Sequence, residues 1–426
     1  MPIARRSGEY GSCTVPAAQG EADCRCQLIV PRLQIDLAKI HHNARVLVSR
    51  LECRGITVSG VTKAFSGQPD IAGELLAAGV SGLADSRVEN IRTMRHDAVG
   101  AHMTLIRSPM ISQAALVVRN VDTSLNTELD VISELSKAAQ VLGRTHGVLL
   151  MVELGDLREG IMPADLERVV RRTLRFPNIS LKGIGTNLAC RCGVAPDAEN
   201  MGELSTLADA IDATFGPIVS VVSGGNSSNL NWIFSGADTG RINNLRLGES
   251  ILLGREPLRR TLVEGLYTDA ITLVAEVIES KLKPTKPWGE IAENAFGAAV
   301  PSADSGNVLQ AILALGVMDT DPEGLTPPAG IRILGSSSDH LIIDCGRERL
   351  PVGAEITFQL NYSALMRAMA SPFVSKQIEQ RTKSAAQRNR PVSVFGATPL
   401  AAANCSQSSI SRYSPGHAGS CGTDRL

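Results

Sequence analysis

The chain has 426 residues, more than one ordinary domain needs, with 43 % apolar and 20 % charged side chains, which is the profile of two folded globular domains. A formal net charge of −1 provides no field to recruit nucleic acid or an anionic membrane, and four Tyr, eight Phe and two Trp leave little material for base stacking. No apolar run reaches the ~18 residues that a bilayer span needs, so neither a nucleic-acid nor a membrane partner is expected.

Residues 1–31 mix Gly, Cys, Arg and Pro without periodicity. No apolar core follows the Arg pair, so a secretory signal is not expected and the stretch reads as a disordered extension. A short strand over Leu33–Leu37 leads into a helix that carries His41, His42 and Asn43. Strand-like and helix-like segments then alternate. Strands are predicted at Ile56–Thr62, Val80–Ala84, His102–Ile106, Val121–Leu125, Gly147–Glu153, Leu181–Thr186, Ile218–Ser223 and Asn243–Leu247, with Val/Ile/Leu-rich centres that suit burial on both faces. Amphipathic stretches such as Ile71–Ala78 and Thr127–Leu142 lie between them; the first starts behind Pro69-Asp70 and stops at Gly79. About eight β/α units within residues 32–265 have the arithmetic of an α/β fold of the (β/α)8 TIM-type barrel class, although an open doubly wound sheet fits the same alternation. Residues 266–376 change texture. Ala270–Val277, Gln310–Leu315, Arg332–Leu334, Leu341–Cys345 and Ala354–Leu360 are separated by Pro/Gly-rich turns, and a helical period returns only at Ser363–Ala370, so a mostly β C-terminal domain is predicted. Residues 377–426, rich in Ser, Gln, Arg, Asn, Ala and Gly, read as a disordered tail. The nine cysteines are scattered without a C-x-x-C spacing, which points to reduced thiols in a cytoplasmic protein and to no metal site.

Barrel enzymes carry reactive groups at the carboxyl ends of their strands. The first predicted barrel strand runs out at Val61-Thr62-Lys63 into a loop with Gly67. A partly buried amine there is suited to forming an imine with an aldehyde cofactor, and equally to being a solvated strand-end lysine. The seventh strand is followed by Ser223-Gly224-Gly225-Asn226-Ser227. Adjacent glycines and a helix start behind them make an anion site that fits a phosphate, or an ordinary capped turn. In the eighth, Arg246 stands inside an apolar run, where an unpaired cation is costly, so it needs either a carboxylate or an acceptor on a ligand. Gly248 and the amides of Glu249 and Ser250 again suit a phosphate.

These segments, in this order, resemble the alanine-racemase-like fold of pyridoxal-phosphate enzymes, and within it the alanine/ornithine racemase branch. The resemblance runs from about Pro31 to Lys376. It takes in Gln34-Ile35-Asp36-Leu37 with Asn43, Val61-Thr62-Lys63, Ala84-Asp85-Ser86-Arg87-Val88-Glu89-Asn90, Leu105–Pro109, Val152–Gly160, Gly183–Leu188 and Gly335–His340. It implies an amino-acid racemase working as a homodimer with shared active sites, and places the first strand with the β domain. Pyridoxal 5'-phosphate is then the cofactor, held as a Schiff base on Lys63, which also serves as one acid/base group. Asn226, Ser227, Gly248 and Glu249 are implied at the phosphate, Asn187 beside the ring, and Arg246 facing the ring nitrogen. Alanine racemases take a second base from a tyrosine of the partner subunit. Here Phe296 falls about where that tyrosine would be, and it carries no proton. Asp339 and His340 are the nearest substitutes, with Tyr362 behind them. For the distal ammonium of ornithine or lysine the available carboxylates are Asp339, Glu153 and Asp156; the last two are equally able to pair with Arg158. A decarboxylase, an aldolase-like enzyme or a non-catalytic cofactor carrier remains open on the same architecture.

Overall fold

The computed structural model describes residues 30–380 apart from 98, 295 and 298–305. The extension and tail expected at the two ends lie outside the described residues, save for residues 30–31 and 377–380. The first strand, β1 (Arg32–Asp36), ends on a residue whose carboxylate accepts the Lys39 amide at 3.0 Å. That cap starts the helix Leu37–Glu52 without an intervening loop.

Eight parallel strands follow: β2 (Thr57–Val61), β3 (Gly82–Asp85), β4 (Met103–Leu105), β5 (Thr123–Asn126), β6 (His146–Met151), β7 (Ile179–Gly185), β8 (Val221–Ser223) and β9 (Asn244–Leu247). Each pairs with the next, and β9 returns to pair with β2 from Thr57↔Asn244 to Gly60↔Leu247, so the sheet closes. That last pairing decides for the TIM-type barrel over the open sheet. Every residue of β6 is buried, as strands covered by helices on one side and a lumen on the other require. The helices show the matching stripe. In Ala198–Phe215 the buried residues are Met201, Leu204, Ala208 and Ile211, three or four apart, and a reciprocal cap between Asp197 and Asn200 starts the helix.

The second sheet is built from β10 (Ile271–Pro284), β11 (Asn307–Leu313), β12 (Leu325–Thr326), β13 (Arg332–Ser336), β14 (Leu341–Asp344), β15 (Glu355–Leu360) and β16 (Ser375–Glu379), together with β1. Its order is β12-β15-β10-β11-β14-β13, and β1 lies antiparallel to β10 and parallel to β16. The chain's first strand therefore belongs to this sheet, as the resemblance implies. Two boundaries differ from expectation. β10 runs on past Val277 to Pro284, because its second half pairs with β11 rather than with β15. The chain does not leave the sheet at 376 either, since β16 pairs along the whole of β1 to Glu379.

Two contacts lock the sheet to the barrel. Asn43, fully buried, donates to the carbonyls of Ile251 and Tyr267 at 2.9 and 2.8 Å and accepts the Tyr267 amide at 2.7 Å. The helix Tyr362–Ala370, capped by the Asn361 side chain on the Ala364 amide at 2.9 Å, carries Tyr362 and Met366 to the carboxyl-end mouth of the barrel.

Candidate active site

Lys63 opens a single helical turn, Lys63–Phe65, as the chain leaves β2. Its strand end is fixed from the side. The Thr62 amide donates to the Ala84 carbonyl at 2.8 Å and the Thr62 hydroxyl to the Asp85 carboxylate at 2.5 Å. Asp85, fully buried, also accepts the Arg87 amide at 2.8 Å and Nδ2 of Asn90 at 3.1 Å. Burial pushes the Asp85 carboxyl up, against the pull of these donors and of the Lys63 ammonium. The buried Asp85 and its donors thus form a bracket that fixes where Lys63 emerges.

Lys63 faces a cavity of about 380 Å3, whose wall includes Arg158, Cys190, Ser227, Arg246 and Tyr362. Arg246 is 5 % exposed. Its guanidinium donates to the Ser223 hydroxyl, to the Thr186 carbonyl at 2.7 Å and to Oδ1 of Asn187 at 3.5 Å. None of these partners is a carboxylate, so the ion pair that would make Arg246 purely structural is not formed. Burial lowers its pKa to about 10, which still leaves it charged at neutral pH.

Asn226 is placed differently from the expected phosphate contact. Its Nδ2 donates to Oδ1 of Asn187 at 3.2 Å and to the Leu188 carbonyl at 3.0 Å, and its Oδ1 accepts the Ser228 amide at 2.8 Å. The side chain ties the β8 turn to the β7 turn. The backbone beside it offers unpaired donors. The amides of Ser227, Gly248 and Glu249 donate to nothing among the described residues, and the Ser227 hydroxyl lies 2.9 Å from that of Ser250. A Cβ on Gly248 would stand 3.1 Å from Cβ of Val61, so glycine lets the turn sit tight on β2. Gly225, at φ +136, would put a Cβ 2.5 Å from Oδ1 of Asn229. The Glu249 carboxylate is bound by Arg260 and pushed up by burial.

Tyr362 closes the cavity, its ring centroid 5.8 Å from Nζ of Lys63. Its hydroxyl is buried with no hydrogen-bond partner among the described residues. Burial and the nearby Glu249 push the phenol well above its ordinary range, so it is a poor base and a persistent donor.

Asp339 and His340 are not brought to this cavity within the chain. They sit exposed in the turn between β13 and β14, where Asp339 accepts the Ser338 hydroxyl at 2.5 Å and Nδ1 of His340 lies 3.3 Å from that of Ser337. Phe296 is exposed in the loop between β10 and β11. Glu153 and Asp156 do not pair with Arg158. Glu153 accepts the amides of Gly155 and Leu157 at 2.7 and 2.9 Å, and Asp156 those of Arg191 and Cys192 at 2.9 Å; Arg158 pairs with Glu159. Arg158, Cys190 and Arg260 line the cavity and were not singled out from sequence. Arg158 and Cys190 lie in or just beyond segments that carry the resemblance, so a signal existed for them; for Arg260 none did.

Comparison with known proteins places these features. The family model "Alanine racemase, N-terminal domain" matches residues 35–256. Ornithine racemase of Acetoanaerobium sticklandii is 38 % identical over 352 residues, 82 % of this chain and 99 % of that protein. Lysine racemase of Thermotoga maritima is 34 % identical over 354 residues, 83 % of this chain and 99 % of that one. Among solved structures, alanine racemase from the D-cycloserine-producing Streptomyces lavendulae superposes with a TM-score of 0.66 at 16 % identity, covering 83 % of this chain and 98 % of that one. D-threonine aldolase from Filomicrobium marinum does so with 0.64 at 17 %, covering 80 % and 88 %. At such identities the superpositions speak for the fold alone.

Proposed function

This chain belongs to the alanine racemase family, and on that premise we infer that it is a pyridoxal-phosphate-dependent amino-acid racemase, an isomerase. The observation that carries the cofactor reading is a set of polar groups that the chain leaves unmet around one lysine. Among the described residues the buried Tyr362 hydroxyl has no partner, and the amides of Ser227, Gly248 and Glu249 lack acceptors. All four residues line the cavity that Lys63 enters. Four donors without acceptors fit a phosphate, and Arg246, charged and without a carboxylate, fits a ring nitrogen.

When bound, the cofactor supplies an aldehyde that condenses with amines and a ring that withdraws electrons from Cα. The chain's own residues do the rest. Lys63 holds the cofactor and moves a proton at Nζ. Thr62, Asp85 and Asn90 hold its strand end in place. Arg246 has no acceptor atom and keeps its proton, so it donates to a ring nitrogen without protonating it. Weaker electron withdrawal follows, which suits prompt return of the proton over decarboxylation. Asn226 and Asn187 brace the two turns beside the ring.

Racemisation needs proton transfer on both faces of Cα. The second group is assigned to the β13–β14 turn of the other subunit of a homodimer. Glu153 and Asp156 are occupied by backbone amides, which leaves Asp339 for the distal ammonium of a diamino acid and His340 for the proton. Ornithine-type substrates are favoured because the two curated relatives that align over most of the chain are named for ornithine and lysine. The barrel and the β domain are read as the chain's two folded units, and the thiols of Cys190, Cys192 and Cys345 suit a reducing, cytoplasmic setting.

The test is solvent-deuterium incorporation at Cα across alanine, ornithine, lysine and serine, followed together with optical rotation. Exchange with loss of rotation is expected, greatest for the diamino acids and abolished in Lys63→Ala. Release of carbon dioxide or an aldehyde without loss of rotation refutes the reading.

A further inference from the structure

The lumen of the barrel is not filled. Barrels of this type pack their interior with layers of bulky branched side chains. Here the apolar packing inside consists of Leu125, Leu149 and Met151, with Ile106 and Val221 half-buried beside them. Toward the amino ends of the strands the wall is made by Thr57, Ser59, Thr104, Thr123 and Asn244, and the cavity they leave, about 590 Å3, reaches up to Arg246. No aspartate or glutamate lines it. It opens at the barrel end opposite Lys63.

One lysine is built into that wall. Lys182 is the residue left over where the β6–β7 pairing slips, between Val148↔Leu181 and Leu149↔Gly183. A bulge of this kind re-aims a single side chain. Gly147 leaves room for the stem, since a Cβ there would stand 3.3 Å from Cε of Lys182 and 2.5 Å from Oγ1 of Thr123. Lys182 is half-buried, and among the described residues its ammonium has neither an ion pair nor a hydrogen-bond acceptor. The adjacent Asp122 is engaged by Arg95 at 2.6 Å and by the Met103 amide at 2.7 Å. His102, also in the wall, has its Nε2 3.1 Å from the Thr123 hydroxyl and Nδ1 3.9 Å from Asp122. At the inner end stands Arg246, buried and without a carboxylate. Two cations thus bracket a hydroxyl-lined space that contains no acid, and a buried cation without a counter-charge is costly.

We propose that this amino-end cavity binds a small oxyanion of the phosphate or sulfate class, held by Lys182 and the lumen hydroxyls and acting as the counter-charge that Arg246 lacks within the chain. The site does not depend on which cofactor the opposite end takes. Its test is a calorimetric titration of the full-length protein with inorganic phosphate, with and without saturating pyridoxal phosphate. Heat of binding is preferred to melting temperature because such anions stabilise most proteins through exclusion from the surface. The expected result is one saturable phosphate per chain that persists when the cofactor is saturating. Lys182→Met weakens it at least about tenfold and Lys182→Arg retains it, as a direct ion contact requires. Phosphate binding that vanishes once cofactor is added belongs to the Ser227–Gly248 cradle and overturns the proposal. Equal affinity in Lys182→Met, or no saturable heat, overturns it too and leaves the lumen to water. Should the protein take up no cofactor, the Lys182 dependence is read on the protein as purified, so the two readings fail separately.

Discussion

Replacing Tyr362 by Phe has opposite effects on two measurable equilibria. In the cofactor-free protein the phenol hydroxyl is buried without a partner, and such a group costs about 1–3 kcal/mol. Phenylalanine keeps the ring beside Lys63 and removes the orphan oxygen. The cofactor-free variant is therefore expected to be more stable by about 1–2 kcal/mol, a rise of only about 1 °C per kcal/mol in the midpoint for a chain of 426 residues. The phosphate, in contrast, loses a donor. A hydrogen bond to a charged acceptor contributes about 1.5–3 kcal/mol, so pyridoxal phosphate should bind roughly 10–150-fold more weakly. The phenol is pushed up by burial and by Glu249, so it stays a donor through mildly alkaline pH and the defect should not shrink there. Thermal unfolding of the cofactor-free protein and spectrophotometric cofactor titration read the two effects separately. A destabilised cofactor-free variant, or unchanged cofactor affinity, would refute the placement of this hydroxyl at the phosphate.

Gly248→Ala puts a Cβ 3.1 Å from Cβ of Val61 at the turn whose amides are proposed to bind the phosphate; cofactor affinity should then fall at least about tenfold while the circular-dichroism spectrum is retained, a loss of ~1.4 kcal/mol or more. Asn43→Ala strips one buried and two partly buried hydrogen bonds between the first helix and the chain near Ile251 and Tyr267 and should cost about 2–4 kcal/mol in denaturant unfolding. Asn43→Asp, which turns a double donor into an acceptor against two carbonyls, should be no better than Ala. His146 is buried with its pKa lowered to about 4 from 6.5, chiefly by desolvation. The unfolded chain binds the proton first as pH falls, so this residue's contribution is complete above about pH 6.5 and is lost progressively down to about pH 4, roughly 3 kcal/mol in all. In His146→Gln the decline in stability across that window should be visibly flatter in urea titrations at each pH.

The sequence marked both sheets because their strands carry their own pattern. Apolar runs such as Gly147–Glu153 are legible wherever both faces are buried, and Pro69 and Gly79 bound a helix by local backbone chemistry alone. The strands that the sequence does not display are the polar ones. The far half of β10, with Glu279, Ser280, Lys281 and Lys283, and all of β16, Ser-Lys-Gln-Ile-Glu, have little apolar pattern to display, and only pairing with β11 and β1 makes them strands. Closure of the barrel was likewise undecided until β9 met β2.

For the site, the strand-end position of Lys63 and the glycines at 225 and 248 could be read from local order, since a glycine is required where a backbone packs against its neighbour. The partner of each polar side chain could not. Glu153 and Asp156 look like free acids in the sequence but are taken by amides up to 36 residues away. Asn226 turns toward Asn187. Tyr362 arrives from the other domain, about 300 residues after Lys63, by docking of a helix. Backbone preference and hydrophobic period are properties of neighbours in sequence, so the chain alone determines its elements and where its strands end. Hydrogen-bond partners, burial and an unfilled lumen arise between distant segments, and these only the closed barrel and the domain packed on it decide.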